Sequence, residues 1–139
     1  MSHYLKKAQL YCEKNKHRFT KPRQEVLQVI MQQTMPIAAY DILKILSIKK
    51  EVKPPTIYRA IDFWSKHGFI HRVESLNSYI ACDLNHKHQG TQVIICDNCG
   101  MTKEICLNDF QIVNKVQSLE SFKVKNWNVE IHGLCQECA

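Results

Sequence analysis

In the first half of the chain, apolar residues recur with the period of helices. Leu5, Ala8 and Cys12 fall at i, i+3 and i+7, which predicts one helix with Cys12 as a small buried residue. "RFTKPRQEVLQVIMQQ" predicts a second. Thr20 is placed to cap it, Pro22 falls in its first turn, and Val26, Val29 and Ile30 form its apolar stripe. "PIAAYDILKIL" predicts a third, with Ala39, Ile42, Leu43 and Leu46 on one face. "KPPTIYRAIDFWSKHG" predicts a fourth, opened by two prolines and closed by Gly68. Its inner stripe is Ile57, Ala60, Ile61 and Trp64. Its outer face carries Pro55, Arg59, Asp62 and Lys66, with Tyr58 on the flank.

After Gly68 the pattern alternates. "FIHRVESLNSYIACDL" is broken by the polar stretch Ser75–Ser78 and predicts a β-hairpin. A loop centred between Leu76 and Asn77 places His71 directly opposite Cys82, with Cβ atoms about 5 Å apart. That span suits two ligands of one tetrahedral metal, and a shift of register breaks it. Short helices followed by a hairpin predict a winged helix-turn-helix. Its last helix would enter the major groove, where an outward Arg59 can pair bidentately with guanine.

The rest predicts a small α/β unit. "TQVIIC" and "MTKEICL" read as strands, and "NDFQIVNKVQSLES" reads as a helix with Asn108 or Asp109 near its cap. "FKVKNWNVEIHGLC" reads as a last strand pair or one long strand. A CxxC pair stands near each end, Cys96 with Cys99 and Cys135 with Cys138. Two such loops complete a tetrahedron of four thiolates. Zinc is the expected occupant, with a rubredoxin-like iron or a redox dithiol as alternatives. Such a site is closed to water and no nucleophile–base pair stands out, so an enzyme is not expected. His86, His88, Glu104 and Cys106 are further possible ligands that chemistry alone does not single out.

Composition and charge divide the chain the same way. Its 139 residues, 45% apolar, suffice for one ordinary domain or two small ones. Residues 1–72 hold 14 Lys/Arg against 5 Asp/Glu, and residues 73–139 hold 5 against 8. A basic half beside a mildly acidic, cysteine-rich half suggests that the first meets a polyanion. No apolar run approaches the roughly 18–20 residues that span a bilayer, and the charged N-terminus lacks a signal-peptide core. A cytoplasmic location is expected, where close cysteine pairs are metal ligands more often than disulfides. The expected fold is α+β: a winged-helix DNA-binding domain over 1–83, then an α/β dimerisation and metal-binding domain over 84–139, with a hinge near 82–92.

"RFTKPRQEVL", "AAYDIL", "KPPTIYRAIDF", "GFIHRVESLNSYIAC", "CDNCG" and "HGLCQECA", in this order, resemble the ferric uptake regulator family, and its zinc-sensing branch most. The resemblance covers nearly the whole chain. It implies a homodimer and a structural zinc on Cys96, Cys99, Cys135 and Cys138. It also implies a second, regulatory zinc on His71, Cys82, Glu104 and a histidine of "NHKHQ", where spacing favours His88 over His86. That makes two zinc ions per subunit. The family's base contacts match Tyr40 and Arg59, with Tyr58 and Thr56 beside Arg59. The implied function is a zinc-responsive repressor of zinc-uptake genes, acting on double-stranded operator DNA without a small-molecule substrate. The alternative within the family is a regulator that senses iron, manganese or peroxide. One thiolate among imidazole and carboxylate ligands favours zinc, which makes Cys82 the discriminating residue.

Overall fold

Helix capping sets where the first elements begin. The Ser2 side chain accepts the Leu5 N–H at the head of α1 (His3–Lys14). Thr20 accepts the Arg23 N–H at the head of α2 (Lys21–Gln32), whose first turn holds Pro22. α3 (Ala39–Leu46) and α4 (Pro54–Lys66) start without a side-chain cap, and α4 starts on two prolines. The computed structural model describes residues 2–82, 90–105 and 111–139 of the chain. It divides into two compact units, Met1–Asp83 and Leu84–Ala139.

The first unit has one core. Leu5, Ala8 and Cys12 of α1 are buried with Val26, Leu27, Val29 and Ile30 of α2, Ile42 of α3, and Ile57, Ala60, Ile61 and Trp64 of α4. Cys12 is fully buried, and burial pushes its thiol up, as fits an inert core residue. Trp64 is fully enclosed, and its indole N–H donates to the Arg23 carbonyl at 2.8 Å, so its polar atom is satisfied too.

The hairpin forms, but its register differs from the expected one. β1 (Ile70–Val73) pairs antiparallel with β2 (Ser78–Ala81), with His71 opposite Ile80 rather than Cys82. Cys82 lies opposite Phe69, whose carbonyl accepts its N–H at 2.9 Å. The cause is the turn. Glu74–Leu76 coils as a 3-10 turn and Asn77 takes the left-handed conformation at φ 46°, so the chain reverses one residue earlier. The pairing moves by two residues, and because side chains alternate with period two, His71 and Cys82 keep a common face.

Aromatic side chains fasten α1 to the end of α4. The Tyr4 hydroxyl donates to the Phe69 carbonyl, and the Tyr11 hydroxyl lies 2.7 Å from Nδ1 of His67. His17 and His67 stand with ring centroids 4.6 Å apart. Burial pushes the His67 imidazole below its ordinary value, and His17, Lys66 and Arg23 push it the same way. A depressed histidine holds its proton more readily in the unfolded chain. Stability present above the unfolded value is therefore lost as pH falls through the folded one. Between about pH 7.5 and pH 5.5, the urea midpoint is expected to fall further in the zinc-loaded protein than in its His67→Gln variant. Equal falls in the two proteins would exclude His67 as the source.

Among its described residues, the second unit has a three-stranded sheet and one helix, α5 (Gln111–Glu120). β3 (Gly90–Cys96) is central, with β4 (Thr102–Glu104) antiparallel on one side and β5 (Trp127–Gly133) parallel on the other. Of the two readings of the C-terminal segment, a single strand forms, beginning only at Trp127. Gly90 opens β3 pressed against Trp127, where any Cβ would overlap the indole. Asn108, Asp109 and Cys106 lie outside the described residues.

Candidate metal centres and nucleic-acid interface

The parallel pairing of β3 and β5 builds the first site. Cys96 ends β3 opposite Gly133, the last residue of β5, and the Asp97 N–H donates to the Gly133 carbonyl at 2.8 Å. Each strand then runs straight into a CxxC loop at the same end of the sheet. The first loop closes through a Gly100 N–H bond to the Cys96 carbonyl at 3.0 Å, with Gly100 at φ 80°. The second closes through Cys138 N–H to the Cys135 carbonyl, also at 3.0 Å. The four sulfur atoms of Cys96, Cys99, Cys135 and Cys138 lie within 4.8 Å of one another, and those of Cys99 and Cys135 are 3.8 Å apart. Zn–S bonds of about 2.3 Å in a tetrahedron give an S···S edge of about 3.8 Å.

The electrostatics suit a dication. Backbone N–H groups of Cys99 and Cys135 pull the Cys96 thiol down to about 6. The Cys135 N–H donates to its sulfur at 3.3 Å. Cys99 is up at about 11: the Met101 N–H pulls it down, but the thiols of Cys96, Cys135 and Cys138 and burial together outweigh that. Cys138 is also raised: the Asn98 side chain pulls it down, but Cys135, burial and Cys96 together outweigh that. Cys96 thus carries a negative charge easily, whereas Cys99 and Cys138 give up their protons more readily when a cation is present. Four soft donors with no open position fit a structural zinc site. His132 braces the first loop, with Nδ1 3.0 Å from Asp97 Oδ1 and Nε2 3.4 Å from Glu130 Oε2. The Asp97 bond raises its imidazole above the ordinary value.

In the first unit, the hairpin brings together a nitrogen and a sulfur donor. His71 is half-buried and Cys82 is buried, and their ligand atoms lie within 4.8 Å of each other. They meet on a diagonal across the strands, which long side chains can bridge, rather than as a direct pair. Glu104 ends β4 in the second unit, half-buried and opposite Val93. His86, His88 and Cys106 lie outside the described residues.

The expected DNA-facing residues are open to solvent. Tyr40 is 66% and Tyr58 51% exposed. Arg59 is exposed on the side of α4 away from Ile57, Ala60, Ile61 and Trp64, and Thr56 is half-buried on its flank. The Lys44 ammonium lies over the Tyr40 ring at 5.5 Å. Among the described residues, no helix is long and apolar enough to cross a membrane. The pattern reading missed two groups: Arg72 with Glu74 and Asn77 on the wing, and Tyr11 with His17 and His67. Both assemble from residues that only the turn geometry and helix packing bring together.

Residues 14–132 match the model of the ferric uptake regulator family. The chain is 39% identical to the zinc uptake regulation protein of Escherichia coli over 137 residues, 96% of this chain and 80% of that protein. Its structure is similar to that of a zinc uptake regulator complexed with zinc and DNA, with a TM-score of 0.90 and 36% identity, covering 99% of this chain and 95% of the other. It is also similar to the holo form of XcZur, with a TM-score of 0.83 and 30% identity over 96% and 95% of the two chains. With the four-thiol cluster and the helical unit ahead of it, these likenesses establish that the chain belongs to the ferric uptake regulator family.

Proposed function

We propose that the chain is a zinc-responsive, DNA-binding transcriptional repressor of zinc-uptake genes, acting in the cytoplasm with zinc as corepressor. The observation that carries this reading is the meeting of His71 and Cys82 on one face of the hairpin. An imidazole and a thiolate together favour zinc over iron or manganese. The names of the similar proteins, a zinc uptake regulation protein and a zinc uptake regulator with zinc and DNA, point the same way.

Each subunit would take two zinc ions. Cys96, Cys99, Cys135 and Cys138 would hold one permanently. His71 and Cys82, joined by His88 and Glu104, would hold the second only when zinc is plentiful. Ligands drawn from both units would make occupancy of this site favour one arrangement of the chain. Metal can regulate only through such a difference in affinity between states. Tyr40, Thr56, Tyr58 and Arg59 would face the operator, with α4 in the major groove.

The working form would be a homodimer. Ile112, Val116 and Leu119 repeat at i, i+4 and i+7 along α5 and are 62%, 37% and 77% exposed. Among the described residues, β5 is an edge strand of the sheet, and Ile131 and Leu134 at its end are exposed. An apolar helix stripe and exposed apolar residues at the end of an edge strand, in so small a unit, suit a self-complementary interface.

Zinc titrated into protein that already holds its structural zinc is expected to raise operator affinity by about 5- to 150-fold. By linkage, operator DNA tightens the second zinc by the same factor. An operator affinity that does not move during this titration rules the reading out.

A further inference from the structure

The wing carries an arginine held in a specific pose. Arg72 stands on β1 opposite Tyr79 of β2. Its Nη2 donates to Asn77 Oδ1 at 2.7 Å, and its Nη1 lies 3.0 Å from Glu74 Oε2. Asn77 offers that oxygen from a left-handed backbone, so the clamp is built into the turn that sets the hairpin register. The arginine side chain is nonetheless 46% exposed and that of Glu74 51%. A guanidinium has five N–H donors in a planar fork, so two contacts leave others for a further acceptor.

Its surroundings locate it. The Tyr79 phenol is pushed up by burial, pulled down by Arg72, and pushed up by Asp62, Tyr58 and Glu74. β1, which carries Arg72, packs against α4, whose exposed flank carries Tyr58 and Asp62. The strand is also pinned to the approach to α3, by Ile37 N–H to the Tyr79 carbonyl at 3.0 Å and Tyr79 N–H to the Ile37 carbonyl at 2.8 Å. Arg72 and the carboxylates of Asp62 and Glu74 all act on the Tyr79 phenol, and Arg59 and Lys66 add cations to the same outer face of α4.

We propose that Arg72 is a DNA-backbone contact of the wing: a phosphate of the duplex read by α4 displaces Glu74 from the guanidinium, while Asn77 keeps the fork aimed. This rests on the reading of α4 as the DNA-contacting helix. An exposed ion pair is weak, whereas a fork on phosphate is a strong charge-assisted contact, so the exchange is favourable. The contact fixes the protein on the duplex and carries no base sequence.

The test uses the zinc-loaded full chain and a duplex that this protein selects from a random pool. The slope of log affinity against log salt is measured for wild type, Arg72→Gln, Arg72→Lys and Glu74→Gln. Arg72→Gln is expected to flatten the slope by about 0.9 per bound subunit and to weaken binding uniformly across sequences, by roughly three- to tenfold at physiological salt. Arg72→Lys is expected to restore the slope, and Glu74→Gln to bind at least as tightly as wild type. A wild-type slope in Arg72→Gln overturns the proposal, even with weaker binding, because partial unfolding lowers affinity without changing the phosphates neutralised. Weaker binding by a fully folded Glu74→Gln overturns the exchange as well. If wild type selects no duplex at all, the DNA-binding reading fails and takes this contact with it.

Discussion

Cys135→Ser is expected to lose one zinc per chain and to unfold the second unit while leaving the first intact. The core of that unit is small: among its described residues, the buried apolar side chains are Val93, Ile95 and Cys96. Structural zinc in small domains contributes an apparent binding free energy of about 10–16 kcal/mol, which is also folding free energy. Cys135 has two tasks. Its sulfur lies 3.8 Å from that of Cys99, and its N–H holds the Cys96 sulfur that titrates near 6. Serine supplies neither the soft donor nor a thiolate, so three ligands remain. Metal analysis and hydrogen exchange over β3 and β5 read the outcome. A strong chelator should do the same reversibly, and zinc return near neutral pH should release protons, Cys99 among their sources. A variant with its full zinc complement and wild-type protection in β3 would refute the assignment.

Cys82→Ser is expected to abolish the zinc response while the structural zinc stays bound. Cys82 is 5% exposed and nearly the same size as serine, so the hairpin should keep its register through the Phe69 carbonyl bond. What changes is the donor: the nitrogen of His71 loses its thiolate partner. The zinc-induced gain in operator affinity, about 5- to 150-fold, should collapse towards unity. Zinc content should fall from two per chain to one. Iron and manganese sites lean on nitrogen and oxygen. A serine variant with an intact metal response would therefore favour a regulator of iron, manganese or peroxide.

Much of the first unit was legible because its helices bury one face each. Leu5, Ala8 and Cys12, and likewise Ile57, Ala60, Ile61 and Trp64, are spaced by helix geometry alone and are all buried. The four-cysteine site was legible for a similar reason, since each CxxC loop is local. The hairpin register was not. It depends on whether Asn77 turns left-handed and Glu74–Leu76 coils tightly, a choice among turns that alternation does not encode. The parallel pairing of β3 with β5 was also hidden, because no local pattern names a strand's partner. The Arg72 clamp inherits the same blindness: Glu74, Asn77 and Arg72 look like ordinary polar loop residues until the turn is known.

The shared direction of β3 and β5 has a consequence for how such a unit can vary. Both cysteine loops leave the sheet at one end, so a single ion bound there would act as a clasp on two strand tips. A clasp fixes where the tips meet and is indifferent to how much ribbon runs between them. The mostly exposed stretch 121–126 between α5 and β5 should therefore accept insertions and deletions readily. The two-residue gap inside each loop should accept none.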